Sequence, residues 1–127
     1  MAIDQVNVGT PTNIFQFTDS AMGASVDGIK SSSAVLYSVT VDNSGNLFAA
    51  SYVKLFNATS GSVVSGVTPP DEIIYVPGGA VVTRTYSTGA FAGVTFGTAL
   101  SAICVTVGGT TGIIPPINTV AVLVNYT

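Results

Sequence analysis

The chain has 127 residues, 47% of them apolar and only 7% charged, with three Lys or Arg against six Asp or Glu, one Cys, no Trp and no His. This length corresponds to one domain able to bury roughly two thirds of its unfolded surface. A net charge of −3 with three scattered cations excludes a nucleic-acid interface, which needs clustered Lys or Arg against phosphates, and equally excludes attraction to an anionic membrane.

Residues 1–33 read as the least regular part, an N-terminal arm with the first short strands. Ile3, Val6 and Val8 form a short apolar run that Gly9 to Thr12 breaks, and Ile14, Phe15 and Phe17 form a second. Another strand is expected near Gly28. The regular centre is Val35 to Ala58, two alternating runs joined by Asp42-Asn43-Ser44-Gly45-Asn46, a cluster that favours chain reversal. On the first run Val35, Tyr37, Val39 and Val41 are expected on one face. On the second, Val53 and Leu55 oppose Tyr52, Lys54 and Phe56, as in a strand buried on one side and lightly solvated on the other.

Further on, Glu72 to Val76 is bounded by Pro69-Pro70 and Pro77, which cannot donate to a ladder and so mark its ends. Ala80 to Tyr86 alternates again, and Phe91 and Phe96 are expected to plug the core from a Gly- and Thr-rich stretch. Ala99 to Val107 is a strand, Ile113-Ile114-Pro115-Pro116-Ile117 an apolar loop, and Thr119 to Tyr126 the last strand, with Val120, Val122, Val124 and Tyr126 on one face. The sum is about eight short strands without a helical period. An antiparallel β-sandwich of jelly-roll type follows, because one open sheet would leave an apolar face wet; a small closed barrel is the alternative.

No catalytic constellation emerges, and the chain reads as a non-enzyme. Ser or Cys nucleophiles lack a His base. Asp71 and Glu72 are strand neighbours pointing to opposite faces. Zinc ligands are missing, the Asp42 to Asn46 turn is too short for an EF-hand, and Gly108 to Gly112 has no Lys for phosphate. No cofactor or metal is expected, and Cys104 reads as a core thiol. No apolar run reaches the roughly 18 residues of a spanning helix, so no membrane partner is expected. The first residues have neither a basic nor an apolar signal region, so a chain made in a cytoplasm and kept there, unless it leaves as part of a particle, is expected. A surface of Ser, Thr, Asn and Gly loses little on desolvation, since hydroxyls and amides find new partners more cheaply than charges do. Such a surface suits burial in an assembly.

Leu36-Tyr37-Ser38-Val39, the Asn/Ser/Gly turn, Tyr52 to Ala58, and Ile73 to Gly78 with its Val-Pro-Gly exit together resemble a family of small β-rich proteins encoded with the head and tail genes of tailed bacteriophages. The resemblance covers roughly residues 34–107. It implies a virion structural protein of the decoration, or cement, type on the capsid outer surface, assembled in the host cytoplasm. Proteins of this kind commonly form homotrimers and clamp neighbouring major capsid protein subunits. No family site residues carry over. From the residues, the expected interface is the arm around Ile3, Val6, Ile14, Phe15 and Phe17, plus Ile113, Ile114, Pro115, Pro116 and Ile117; core packing is the competing role for both sets. The competing function is a phage fibre or receptor-binding sandwich that holds a surface glycan, for which Tyr75 and Tyr86 are the candidate aromatics.

Overall fold

A computed structural model describes residues 14–86 and 93–127 of the chain. Ile3, Val6 and Phe91 lie outside the described residues. The protein is an all-β sandwich of two antiparallel sheets. Its strands are β1 (Phe15–Asp19), β2 (Asp27–Lys30), β3 (Ala34–Asp42), β4 (Ser51–Phe56), β5 (Glu72–Val76), β6 (Val81–Thr85), β7 (Val94–Phe96), β8 (Leu100–Val105) and β9 (Ala121–Tyr126). The first sheet runs β1-β9-β3-β6, with β7 also paired to β3; the second runs β2-β8-β4-β5. β6 pairs with Ser38 to Asp42 and β7 with Ala34 to Leu36. The two therefore lie end to end along one side of β3, two pieces of a single course, which explains nine strands where about eight were expected.

The Asp42 to Asn46 turn does not make a hairpin of its flanking strands. β3 pairs with β6, β7 and β9, whereas β4 pairs with β5 and β8, so the connection carries the chain from one sheet to the other. The facing on β3 also differs from simple alternation. Opposite β9, Leu36 pairs with Tyr126 and Ser38 with Asn125, two residues advancing against one. That is a β-bulge, and it reverses the parity of the strand. Leu36, Val39 and Val41 are fully buried, while Val35 and Tyr37 are half-buried. Val35 and Tyr37 thus do not share the inward face of Val39 and Val41.

The main core lies between the sheets, with Leu36, Val39, Val41, Val122 and Val124 from one side meeting Val53, Leu55, Ile74, Val76 and Leu100 from the other. β4 has no solvated face. Phe56 packs outward with Ile103, Val105 and Val63 in a second cluster, against which Ala24, Val26 and Ala58 rest. Leaving such side chains wet would cost about 1.5–3 kcal/mol each, so the connecting segments fold over this sheet as a lid. The first sheet needs none. Across its outer face run the rows Gln16–Asn125–Ser38–Thr85 and Thr18–Leu123–Thr40–Thr83. Their polar groups meet laterally, with Asn125 Nδ2 donating to Ser38 Oγ at 2.7 Å and the Thr40 and Thr83 hydroxyls 2.9 Å apart. The part of the expected N-terminal arm that is described, from β1 onward, is built into the sandwich, because β1 and β2 each complete a sheet.

Candidate functional site

Three connections meet at one end of the sandwich: residues 43–50 after β3, 77–80 after β5, and 106–120 after β8. Asn43 holds them from the inside. It is fully buried. Its Nδ2 donates to Ala49 O at 3.0 Å and Pro77 O at 3.1 Å, and its Oδ1 accepts from Asn46 Nδ2 at 3.0 Å and Ser51 Oγ at 2.9 Å. Asn46 then reaches the third connection, bonding Asn118 O at 3.0 Å and accepting from Asn118 N at 2.9 Å. Asn118 Nδ2 donates in return to Gly45 O at 2.8 Å. Gly78 closes the arrangement, since a side chain there would meet Ala49 N and Leu47 O at 2.8 Å. A buried amide with every donor and acceptor met stiffens what it joins.

On the outside of this stiff frame sit Phe48, fully exposed, Ile117, 92% exposed, and Leu47, 65% exposed. Ile113 and Ile114 are also exposed. A single exposed apolar residue needs no explanation, but here several project from loops tied together by side-chain amides. Charge is sparse here. Asp42 is the nearest carboxylate in sequence to this surface, and its Oδ1 is occupied by Ser44 N and Oγ at 2.9 and 2.5 Å.

The structure divides the residues expected at an interface. Ile117 belongs to the apolar end, beside Asn118. Ile113 lies against Gly66, where an added side chain would approach its Cγ2 to 2.6 Å. Ile114 turns its carbonyl to Thr106 N at 2.8 Å. Pro115 is exposed and Pro116 half-buried. Ile14 and Phe15 are exposed at the other end, Phe15 with its ring 5.9 Å from that of Tyr126, and Phe17 is half-buried against the main core. The two sets are not brought together. The six residues of β9 separate them by about 20 Å at ~3.3 Å per residue. Beside Ile14 a groove of about 710 Å³ opens between Gln16, Tyr37 and Asn125 on the outer face of the first sheet.

Leu47 and Phe48 escaped the sequence reading because Asn46-Leu47-Phe48 looks like the start of a strand, and only the position of Asn43 and Asn46 in three-dimensional space turns those side chains out. Of the candidate sugar-binding tyrosines, Tyr75 is exposed with its ring 5.4 Å from Tyr52. Tyr86 is half-buried, and its hydroxyl donates to Glu72 Oε2 at 2.9 Å, next to the Arg84–Glu72 ion pair at 3.1 Å. Burial and the Glu72 carboxylate raise the Tyr86 pKa.

Four ionisable groups are wholly or partly withdrawn from solvent. Burial pushes the Cys104 thiol up to about 12, so it stays protonated and inert at neutral pH. Asp19 and Asp27, at the two ends of the connection between β1 and β2, face each other at the junction of the two sheets. Lys54, 1% exposed, lies under the 106–120 connection and donates to Gly112 O at 3.2 Å. Burial pulls its pKa below the ordinary 10.5. Between the folded and unfolded values the unfolded chain binds more protons, so stability rises with pH in the window below 10.5. Lys54→Met is expected to abolish that rise, and to raise stability by ~1 kcal/mol at neutral pH because an ammonium with one acceptor is removed from the interior. Urea midpoints at about pH 7 and about pH 9.5 check both effects.

Among the described residues no group of three or more Cys, Asp or Glu side chains is placed to hold a metal, and no helix is long and apolar enough to cross a membrane. Comparison of the chain with protein-family models, with curated proteins and with solved structures found no match.

Proposed function

We propose that this protein is a structural virion component that decorates and stabilises an icosahedral phage capsid by bridging neighbouring major capsid protein subunits, as a homotrimer on the capsid outer surface. The observation that carries this reading is the stiff apolar end, where Phe48, Leu47 and Ile117 project from loops locked by Asn43, Asn46 and Asn118. A contact surface already fixed before binding loses little conformational entropy on docking. Many copies then add modest contacts into a firm lattice. The outer face of the first sheet, on which Asp42 at one end is the charged residue among rows of hydroxyl and amide groups, supports the same role, because most of it is cheap to desolvate against a neighbour.

The jelly-roll reading of the sandwich belongs with this proposal. With β6 and β7 counted as one course, each sheet has four strands, in the orders given above. Every connection between consecutive courses except β4 to β5 passes from one sheet to the other, the pattern of a chain wound as paired Greek keys.

The test is the copy number of the chain in purified particles, by quantitative mass spectrometry against the major capsid protein. A number in fixed, high ratio to the capsid protein is the expected result. A few copies per particle would move it to a vertex, fibre or tail, and absence from particles would overturn the reading.

The glycan-binding alternative rests on a different observation. Tyr86, Glu72 and Asp71 line one groove of about 330 Å³ with Asn57 and Phe96, an aromatic ring beside two carboxylates as sugar sites use. A glycan-array signal lost in Tyr86→Ala would favour it.

A further inference from the structure

The connection between β1 and β2, residues 20–26, is tied to much of the molecule. Met22 is buried and its N–H donates to Val120 O at 3.0 Å. Gly23 O accepts from Cys104 N at 2.9 Å, and Ala24 O from Ser65 Oγ at 2.8 Å. Ala24 and Val26 form part of the lid over the second sheet, and a side chain at Gly23 would touch Pro115 at 3.9 Å. The segment thus supports both the lid and one flank of the 106–120 connection.

Its two ends are carboxylic acids. Asp19 is the last residue of β1 and Asp27 the first of β2. Asp27 Oδ2 is buried, and no N–H or O–H donor of the described chain meets it. The group across from it is the Asp19 carboxyl, which already accepts Ala21 N at 2.9 Å through Oδ1. Two carboxylates have only acceptors to offer each other, so a hydrogen bond between them requires a proton on one. We propose that Asp19 and Asp27 form a proton-operated clasp: with one shared proton the pair closes the neck of the 20–26 connection, and when the proton leaves, the two like charges open it.

The surroundings favour this behaviour. Burial first, and then the Asp19 hydrogen bond and charge, push the Asp27 pKa up to about 7, while the Asp27 hydrogen bond holds Asp19 below its ordinary 3.8. The other titratable group in reach is the Cys104 thiol on β8, which stays neutral. Among the described residues no Lys or Arg forms an ion pair with either carboxylate. The sign follows from linkage. The closed neck keeps a proton that the open neck releases at ordinary carboxylate pH, so closure is strongest near the ordinary 3.8, weakens as pH rises towards about 7 and levels off above it; below 3.8 it weakens again, because the open neck then binds a proton on Asp19 that the closed neck resists. The clasp is a property of the free chain. It stands or falls independently of capsid docking, although it would let acidity adjust the flank of the proposed docking end.

Amide hydrogen exchange of the full chain, followed by NMR at about pH 5 and about pH 7.5 and corrected for intrinsic rates, tests it. The Met22 and Cys104 amides, which bond across this connection, are expected to lose about tenfold in protection between the two conditions. In Asp27→Asn the carboxamide donates to Asp19 at every pH, and the protection should become independent of pH. Wild-type protection that changes by less than about twofold would overturn the clasp. So would an Asp27→Asn protein that keeps the wild-type fall. The carbon chemical shifts of the two wild-type carboxyl groups give a reading without any variant: a single proton retained by the pair to near neutrality supports the clasp, and two ordinary carboxylate titrations refute it.

Discussion

Asn43→Ala is expected to destabilise the fold by about 3–4 kcal/mol, the largest loss anticipated from a single polar substitution in this chain. The side chain is fully buried and makes hydrogen bonds to two carbonyls, one amide and one hydroxyl. Alanine leaves the Ala49 and Pro77 carbonyls without this donor and the Asn46 amide and Ser51 hydroxyl without their acceptor. Each buried group so stranded costs about 1–3 kcal/mol, and the total is less than the sum because the loops relax together. Urea denaturation with an unchanged m-value measures the loss, and the melting temperature should fall by roughly 10 °C for a chain of this size. Ser51→Ala is the calibrating variant. It removes one donor to Asn43 Oδ1 and is expected to cost only ~1 kcal/mol. An Asn43→Ala loss no greater than that of Ser51→Ala would mean that the loops, not the amide, hold the end together.

The double variant Phe48→Asp, Ile117→Asp is expected to weaken binding to particles by about 100-fold or more while leaving the stability of the free chain within ~0.5 kcal/mol. Both side chains stand almost entirely in solvent, so the folded chain loses no core contact. An apolar docking pocket, however, would have to desolvate two carboxylates without partners. Co-sedimentation with particles stripped of the protein gives the affinity, and thermal unfolding of the free chain gives the control. Unimpaired decoration by the double variant would remove the apolar end from the proposed docking surface. Thr85→Lys, in the uncharged row Gln16–Asn125–Ser38–Thr85 of the sheet face, would then be the informative variant, since it places a charge where hydroxyl and amide groups run.

The asymmetry between the two sheets follows from which residues alternate outward. The outward positions of β4 and β8 carry Phe56, Ile103 and Val105 and draw a lid over themselves. Those of β1, β3, β6 and β9 carry mostly Thr, Ser, Asn and Gln and stay bare. One sandwich thereby presents a closed face and an open, nearly uncharged one.

Where most of the strands lie was determined by the sequence alone, because a strand's signal is local; β7, inside the Gly- and Thr-rich stretch, was not legible as a strand. Two-residue alternation and the Gly, Pro and Asn clusters at its ends act within a few residues, so Glu72–Val76 between its prolines and the inward Val120, Val122 and Val124 of the last strand were legible. The scarcity of charge and the apolar character of Ile113 to Ile117 were equally plain. Partnership was not legible, because it depends on groups far apart in the chain. Only the tertiary structure separated β3 and β4 into different sheets, and only the pairing with β9 introduced the bulge that turned Val35 and Tyr37 away from Val39 and Val41. Lys54 looked solvated until distant loops covered it. Phe48 looked like a strand residue until Asn43 and Asn46 bonded the loops around it, and Asp19 and Asp27 became a pair only when strands of opposite sheets brought their carboxyl groups together. Alternation specifies which face of a strand is apolar, but long-range closure of the sheets decides what that face meets.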